Sequence, residues 1–300
     1  MSYLQAPKSK SKVFGKYFRY SLIAMMFFAV VALLALTVFK DDKPDYSQSK
    51  FIQYDVPADD ATVVVFETTK GTIRAVIYEE EAPKYCEFFK ELVNDGYFND
   101  TYVCTILKTQ EGQHGGFIGG SKTIDGLAND DTNTKITKLE VSSNLLPTRG
   151  AIGSLVKAGG LFTKAKAGSV FTFFNDVVNV DDLNKTIEEQ EIDEALTKVS
   201  DLFKKYGGIP NYVQQYTIFG QVYDGWEVID VINKTEIIGE GLADDDENKS
   251  FSPNEEIKFT KVYLSTYGEQ KENGFNIPIK SEADTSTSDS DNSNTLSSKE

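Results

Sequence analysis

The chain has 300 residues, of which 40% are hydrophobic, and a formal net charge of −15. This length predicts one principal domain with attached segments, and the acidic balance argues against nucleic acid as a partner, because phosphate binding requires clustered cations. Two cysteines, Cys86 and Cys104, and a single histidine do not provide the ligand spacing of a metal site. Neither a metal nor a cofactor is therefore expected.

An uncharged apolar run, "SLIAMMFFAVVALLALTVF", covers residues 21–39. As a helix it is about 28 Å long, which matches the roughly 30 Å hydrocarbon core of a bilayer. The run therefore predicts a transmembrane helix. A cleaved signal peptide is the alternative, but its apolar region is shorter, about 7–15 residues, and ends at a small-residue cleavage site that does not follow this run.

The charges on either side of the run predict its orientation. Residues 1–20 carry five Lys/Arg and no acid, whereas Asp41 and Asp42 follow the run closely. By the positive-inside rule, the basic segment 1–20 is expected in the cytoplasm. The chain is thus expected to be a single-pass protein of the cell membrane whose main domain is extracytoplasmic.

Two polar segments flank the part of the chain that is expected to fold. Residues 40–60 are polar with scattered prolines and predict a linker. Residues 269–300 form an acidic, Ser-rich tail that predicts disorder, because so few apolar side chains cannot offset the entropy of ordering. The folded domain is therefore expected over residues 61–268.

The first folded elements are predicted from local patterns. The β-branched runs "TVVVFETT" and "TIRAVIY", joined at Gly71, predict a β-hairpin. A helix is expected next, because Pro83 suits a first turn and the apolar residues Cys86, Phe89 and Leu92 recur at helical spacing. Cys86 is therefore expected to be a small buried apolar residue rather than a reactive thiol.

Several stretches resemble, in their order, motifs of the cyclophilin-type peptidyl-prolyl cis-trans isomerases. These are "VVVFETTKGTIRAVIYEEEAPKYCEFFKELVNDGYFNDT", "RGAIGSL", "GSVFTFF", "YTIFGQVYDGWEVIDVI" and "EEIKFTKVYL". The resemblance implies a mainly β fold, a closed antiparallel β-barrel of about eight strands capped by helices. It also implies action on proline-containing polypeptides.

Residues 181–207 form an insertion relative to the family's usual spacing. Thr186 and Glu189 make a capping-box pattern, and one apolar face follows before Gly207, which predicts an added helix. The apolar face consists of Ile192, Ala195, Leu196, Val199, Leu202 and Phe203. This helix is expected either to lie on the barrel or to bind a partner or cover the groove.

The chain departs from the family at the candidate site. Where the family has Phe-His-Arg, this chain has Val103, Cys104 and Thr105, and Ile118 stands at the family's glutamine. A guanidinium can donate to the prolyl nitrogen as the amide twists, and this contact is stronger in the transition state than in the ground state. Losing one such donor costs roughly 10²–10³ in rate. No catalytic residue is assigned, Arg149 is not expected to substitute, and isomerase activity is predicted to be weak or lost.

A changed pocket can still bind a peptide. The candidates for an apolar groove are Phe117, Ile118, Val170, Phe171, Thr172, Tyr212 and Tyr216. For each of them the alternative is a place in the barrel core. Two functions follow: a membrane-anchored isomerase-like protein that acts on or binds proline-containing segments of exported proteins, or a non-catalytic binding module for a membrane or envelope partner.

Overall fold

The computed structural model describes residues 45–108, 113–126, 139–157, 166–178, 194–239 and 250–280. They belong to one compact unit that begins at Pro44. The segments 1–20 and 21–39 and the end of the tail, residues 281–300, lie outside the described residues. Among the helices that are described, none has the length and apolar character needed to cross a bilayer.

The described strands form a closed antiparallel barrel. They are β1 (Thr62–Thr68), β2 (Gly71–Ile77), β3 (Thr101–Lys108), β4 (His114–Ser121), β5 (Ala151–Lys157), β6 (Lys166–Phe174), β7 (Ile218–Asp224) and β8 (Lys258–Thr266). Around the barrel their order is β1-β2-β7-β5-β6-β4-β3-β8, and β8 pairs with β1. The predicted mainly β fold, with a closed barrel of about eight strands, is confirmed.

Helices pack against the barrel, and Phe89 and Ile229 from two of them belong to the same apolar cluster as the interior Phe66 and Phe171. They are α1 (Pro83–Asn94), α2 (Glu194–Tyr206), α3 (Trp226–Asn233) and the short α4 (Tyr267–Gln270), and 3-10 turns cover Tyr46–Gln48, Ile52–Tyr54 and Pro210–Tyr212. Helix α2 lies within the range 181–207 proposed for the insertion, of which residues 181–193 are outside the described residues.

Cys86 lies on the buried face of α1. Its side chain is 1% exposed, and burial raises the pKa of its thiol to about 12. The thiol is therefore protonated at neutral pH and inaccessible, and the prediction of a small buried apolar residue is confirmed.

Phenylalanine rings fill the interior of the barrel. The ring of Phe66 lies 5.3–5.6 Å from the rings of Phe171, Phe173 and Phe259, measured between centroids. All four side chains are fully buried. Gly119 on β4 makes room for one of them, because a Cβ at this position would stand 2.4 Å from Cε2 of Phe259.

The segment before β1 is part of the folded domain, so the predicted linker over 40–60 is wrong for its described part. Gln53 is 0% exposed. The side-chain Nε2 of Gln53 donates to the Leu146 carbonyl at 3.0 Å and to Oε1 of Gln221 at 2.9 Å. The Oε1 of Gln53 accepts from the Leu146 backbone amide. These partners are 93 and 168 residues away along the chain, so composition alone did not reveal them.

The folded domain also continues beyond residue 268, and the prediction of disorder is wrong for residues 269–280. Phe275 stacks on Tyr223 with ring centroids 5.8 Å apart, and Trp226 Nε1 donates to the Asn276 carbonyl at 2.8 Å. Lys280 Nζ lies 2.7 Å from the Asp176 carboxylate. The folded part therefore includes both residue 45 and residue 280.

Candidate functional site

The two altered family positions Thr105 and Ile118 and the groove candidate Thr172 lie in one row on the outer face of the barrel. Thr105 on β3 pairs with Ile118 on β4, and Ile118 pairs with Thr172 on β6. Thr172 in turn pairs with Gly153 on β5. Side chains alternate between the two faces of a strand, so these residues share the face opposite to the phenylalanine core. Thr105, Ile118 and Thr172 are called the Thr105 row below.

An aromatic cluster borders the Thr105 row. Phe174, two residues after Thr172 on β6, packs against Tyr212 and Tyr216 with centroids 6.0 and 5.4 Å away, and the two tyrosine rings are 5.0 Å apart. The Phe174 ring covers Gly153, where a Cβ would be only 2.8 Å from Cε2 of the ring. Phe174, Tyr212 and Tyr216 are called the aromatic trio below.

The two tyrosines of the aromatic trio are partly buried. Burial, followed by the effect of the neighbouring Tyr212, raises the pKa of Tyr216 above its ordinary value. Its phenol is therefore neutral at physiological pH. Each ring offers an apolar face together with a hydroxyl that can donate or accept a hydrogen bond.

The predicted groove residues Phe117 and Phe171 are not part of this surface. Both are 0% exposed; Phe117 stacks on Phe173 with centroids 4.6 Å apart, and Phe171 contacts Phe66 inside the barrel. The groove prediction is wrong for these two residues, because each directly precedes a residue of the Thr105 row and one step along a strand reverses the face. For them the core alternative is correct.

The other predicted groove residues lie on the outer side. Val170 precedes Thr172 by two positions on β6 and is 6% exposed, and Thr172 is 1% exposed with its hydroxyl donating to the Phe117 carbonyl at 3.3 Å. Ile118 and Thr105 are half-buried. Cys104, next to Thr105, is buried, and burial raises the pKa of its thiol, so it supplies no thiolate to the site.

Neither described arginine points its charge at the Thr105 row. The sequence contains three arginines, of which Arg19 lies outside the described residues. Arg74 donates to Oδ2 of Asp224 at 2.7 Å from β2, the strand directly opposite β4 in the barrel order. Arg149 donates to Oδ1 of Asp230 on α3 at 2.8 Å, and its guanidinium lies over the Trp226 ring. Both guanidinium groups are thus held by carboxylates on other elements.

Two residues of the site were missed from the sequence. Phe174 forms the base of the aromatic trio, and buried Ile209 packs in the same cluster as Phe174, Tyr212 and Tyr216. The alternation in "FTFF" was available as a signal for Phe174, since it shares a face with Thr172. Ile209 had no such signal, because it lies in an irregular segment after α2.

The chain is similar to known proteins over this domain. Residues 63–262 match the family model described as "Cyclophilin type peptidyl-prolyl cis-trans isomerase/CLD". Peptidyl-prolyl cis-trans isomerase B of Escherichia coli is 24% identical over 203 residues, which are 68% of this chain and 99% of that protein. Peptidyl-prolyl cis-trans isomerase-like 1 of Neurospora crassa is 32% identical over 102 residues, 33% of this chain and 58% of the fungal protein. The match thus spans less than two thirds of that relative.

A crystal structure of a cyclophilin-type peptidyl-prolyl cis-trans isomerase from Cryptosporidium parvum superposes with a TM-score of 0.47 at 18% identity, covering 69% of this chain and 98% of the other. The family model spans more than half of the chain, from the start of β1 into β8. The chain belongs to the cyclophilin-type peptidyl-prolyl cis-trans isomerase family.

Proposed function

We propose that the chain is a membrane-anchored cyclophilin-type protein that binds proline-containing segments of exported proteins and catalyses their isomerisation weakly or not at all. The Thr105 row carries this proposal. It combines two short hydroxyls and one aliphatic side chain on adjacent strands, while both described guanidinium groups are paired elsewhere.

The chemistry explains why catalysis is expected to suffer. Rotation about a peptide bond is opposed by a barrier of about 18–20 kcal/mol, because the C–N bond has double-bond character. A charged donor aimed at the prolyl nitrogen stabilises the twisted amide, and charge-assisted hydrogen bonds are roughly twice as strong as neutral ones. Thr105 is uncharged and short, and Ile118 beside it has no polar atom to hold a substrate carbonyl.

Peptide binding is supported by a different part of the site. The rings of Tyr212 and Tyr216 are half-buried and lie against fully buried Phe174, so their positions are fixed before a ligand arrives. Aromatic faces suit the flat apolar ring of a proline, and phenol hydroxyls can donate to peptide carbonyls. Binding therefore does not depend on the donor that catalysis lacks.

This proposal is tested by binding to the purified full-length chain. A peptide containing Ala-Pro is expected to bind more tightly than the same peptide with Ala in place of Pro, and Tyr216→Ala is expected to weaken the binding by about tenfold, the loss of an aromatic anchor. Tyr263→Ala, which truncates a partly buried tyrosine on β8, is the matched control. Equal affinity for the two peptides, or equal effects of the two substitutions, would contradict the proposal.

The membrane location is proposed from the sequence: residues 21–39 anchor the chain, with segment 1–20 in the cytoplasm and the folded domain outside. The five cations before the apolar run and the two acids after it support this orientation. In sealed right-side-out vesicles, an external protease is expected to remove the domain and to leave residues 1–20 protected. Detergent-permeabilised vesicles are the control, and protection of the domain in sealed vesicles would reverse the orientation.

A further inference from the structure

Two elements that take no part in the barrel meet in one apolar cluster. They are the segment 45–54 and helix α2. The cluster contains Tyr46, Leu146, Val178, Val199 and Phe203, with Phe51, Leu202 and Val213 packed against it. Val213 belongs to the segment 209–216, which also carries Tyr212 and Tyr216.

The joint between α2 and the segment 209–216 is closely packed. Gly207 and Gly208 both have positive φ, and a Cβ on Gly208 would lie 2.5 Å from the Pro147 carbonyl oxygen. The Gly208 amide donates to Oδ1 of Asp176 at 3.2 Å, and the next amide, of Ile209, donates to the Pro147 carbonyl at 2.9 Å. These contacts fix the end of α2 and the start of the segment 209–216 against the same neighbouring residues.

The segment 45–54 holds the other side of the segment 209–216. Ile52 packs against the cluster that contains the aromatic trio. In that cluster Phe174 and Ile209 are buried, and Tyr212 and Tyr216 are partly buried. The Tyr46 hydroxyl also interacts with the side chain of Gln214. Both accessory elements thus contact the stretch of chain that places the two tyrosines.

We propose that the segment 45–54 and α2 form a buttress that fixes the positions of Tyr212 and Tyr216, and that this buttress sets which proline-containing peptides the site accepts. Val199 and Phe203 are positioning residues in it, because they pack in the cluster with Val213 and not in the cluster that contains the aromatic trio. The effect on peptides rests on the proposed function, whereas the effect on the two rings does not.

The test compares two valine truncations in the full-length chain. The protein is labelled with 3-fluorotyrosine and studied in detergent micelles. Val199→Ala loosens the buttress, and Val65→Ala removes the same atoms from a separate outer cluster that contains Tyr223 and Tyr267. The ¹⁹F resonances are assigned with single Tyr→Phe variants. Val199→Ala is expected to shift or broaden the signals of Tyr212 and Tyr216, while Val65→Ala affects those of Tyr223 and Tyr267 instead.

Peptide binding is then measured on the same variants. Val199→Ala is expected to change the ratio of the affinities for the Ala-Pro and Ala-Ala peptides by about fivefold or more. The conservative variant Val199→Ile and the control Val65→Ala are expected to keep the wild-type ratio. If Val199→Ala does not fold, Tyr46→Phe, which removes only one hydroxyl, is expected to shift the Tyr216 signal.

The outcomes separate the two proposals. Unmoved Tyr212 and Tyr216 signals in a folded Val199→Ala protein, or in Tyr46→Phe if that variant alone folds, would overturn the buttress. If the signals move but the wild-type protein binds neither peptide, the buttress is supported and the proposed function is contradicted. Moved signals with an unchanged affinity ratio would overturn its role in selectivity.

Discussion

The purified protein is expected to accelerate cis-trans isomerisation of an Ala-Pro peptide roughly 10²–10³-fold less than the Escherichia coli relative measured beside it, the cost of one missing preorganised donor. The physical reason is the Thr105 row, in which a threonine faces Ile118 and both described arginines are bound to carboxylates elsewhere. The uncatalysed reaction takes tens to hundreds of seconds, so a coupled assay resolves even a small acceleration.

Variants at residue 105 show whether the missing donor is the cause. Thr105→Arg is expected to recover part of the deficit, and Thr105→Lys less, because an ammonium is a point charge without the planar fork of a guanidinium. Thr105→Ala is expected to behave as the wild type. Activity equal to that of the relative, and retained in Thr105→Ala, would show that another donor acts in this site.

Gln53→Leu is expected to lower the free energy of unfolding by about 2 kcal/mol or more, because each buried polar group left without a partner costs about 1–3 kcal/mol. The substitution leaves the Leu146 amide and Oε1 of Gln221 without a partner. It also removes one of the two donors to the Leu146 carbonyl, which keeps the Thr148 amide at 2.8 Å. Denaturant unfolding of the full-length chain measures the change.

Gln215→Leu is the matched control. Gln215 is exposed, and its side-chain Nε2 donates to the Asn211 carbonyl, four residues away. A surface change of this kind is expected to stay within about 0.5 kcal/mol. Equal losses in the two variants would mean that the segment 45–54 does not contribute to the stability of the barrel.

Local patterns predicted much of the fold. The hairpin of β1 and β2 and the helix α1 follow from β-branched runs, a Gly-bearing turn and helical spacing, all of which act between near neighbours in sequence. The domain limits were wrong for a physical reason: Gln53 and Phe275 are stabilised by partners that are distant along the chain. The composition of such segments indicates the conformational entropy that is lost when they become ordered. It does not show the distant contacts that offset this loss.

The sequence predicted which strands contribute to the candidate site, but not which of their side chains lie on the outer face of the barrel. Thr105, Ile118 and Thr172 were placed by motif, and the register brings them together. Phe117 and Phe171 were assigned to the groove together with their neighbours Ile118 and Thr172, yet successive side chains of a pleated strand point to opposite faces. The proposed contribution of α2 to the aromatic trio depends on packing between separate segments, which no local pattern encodes.

The closed strand order has a consequence for the time course of folding. β8 pairs with β1 on one side and with β3 on the other, so without it the sheet ends at β1 and β3. At roughly 5–20 residues per second, β8 leaves the ribosome about 10–40 s after β1, since about 200 residues separate them. Until β8 is synthesised, the edges of β1 and, once it has formed, of β3 lack their final partner, and unpaired edges invite pairing between chains. Synthesis of the last strand, rather than formation of the first hairpin, therefore ends the period in which the nascent domain is most prone to aggregate.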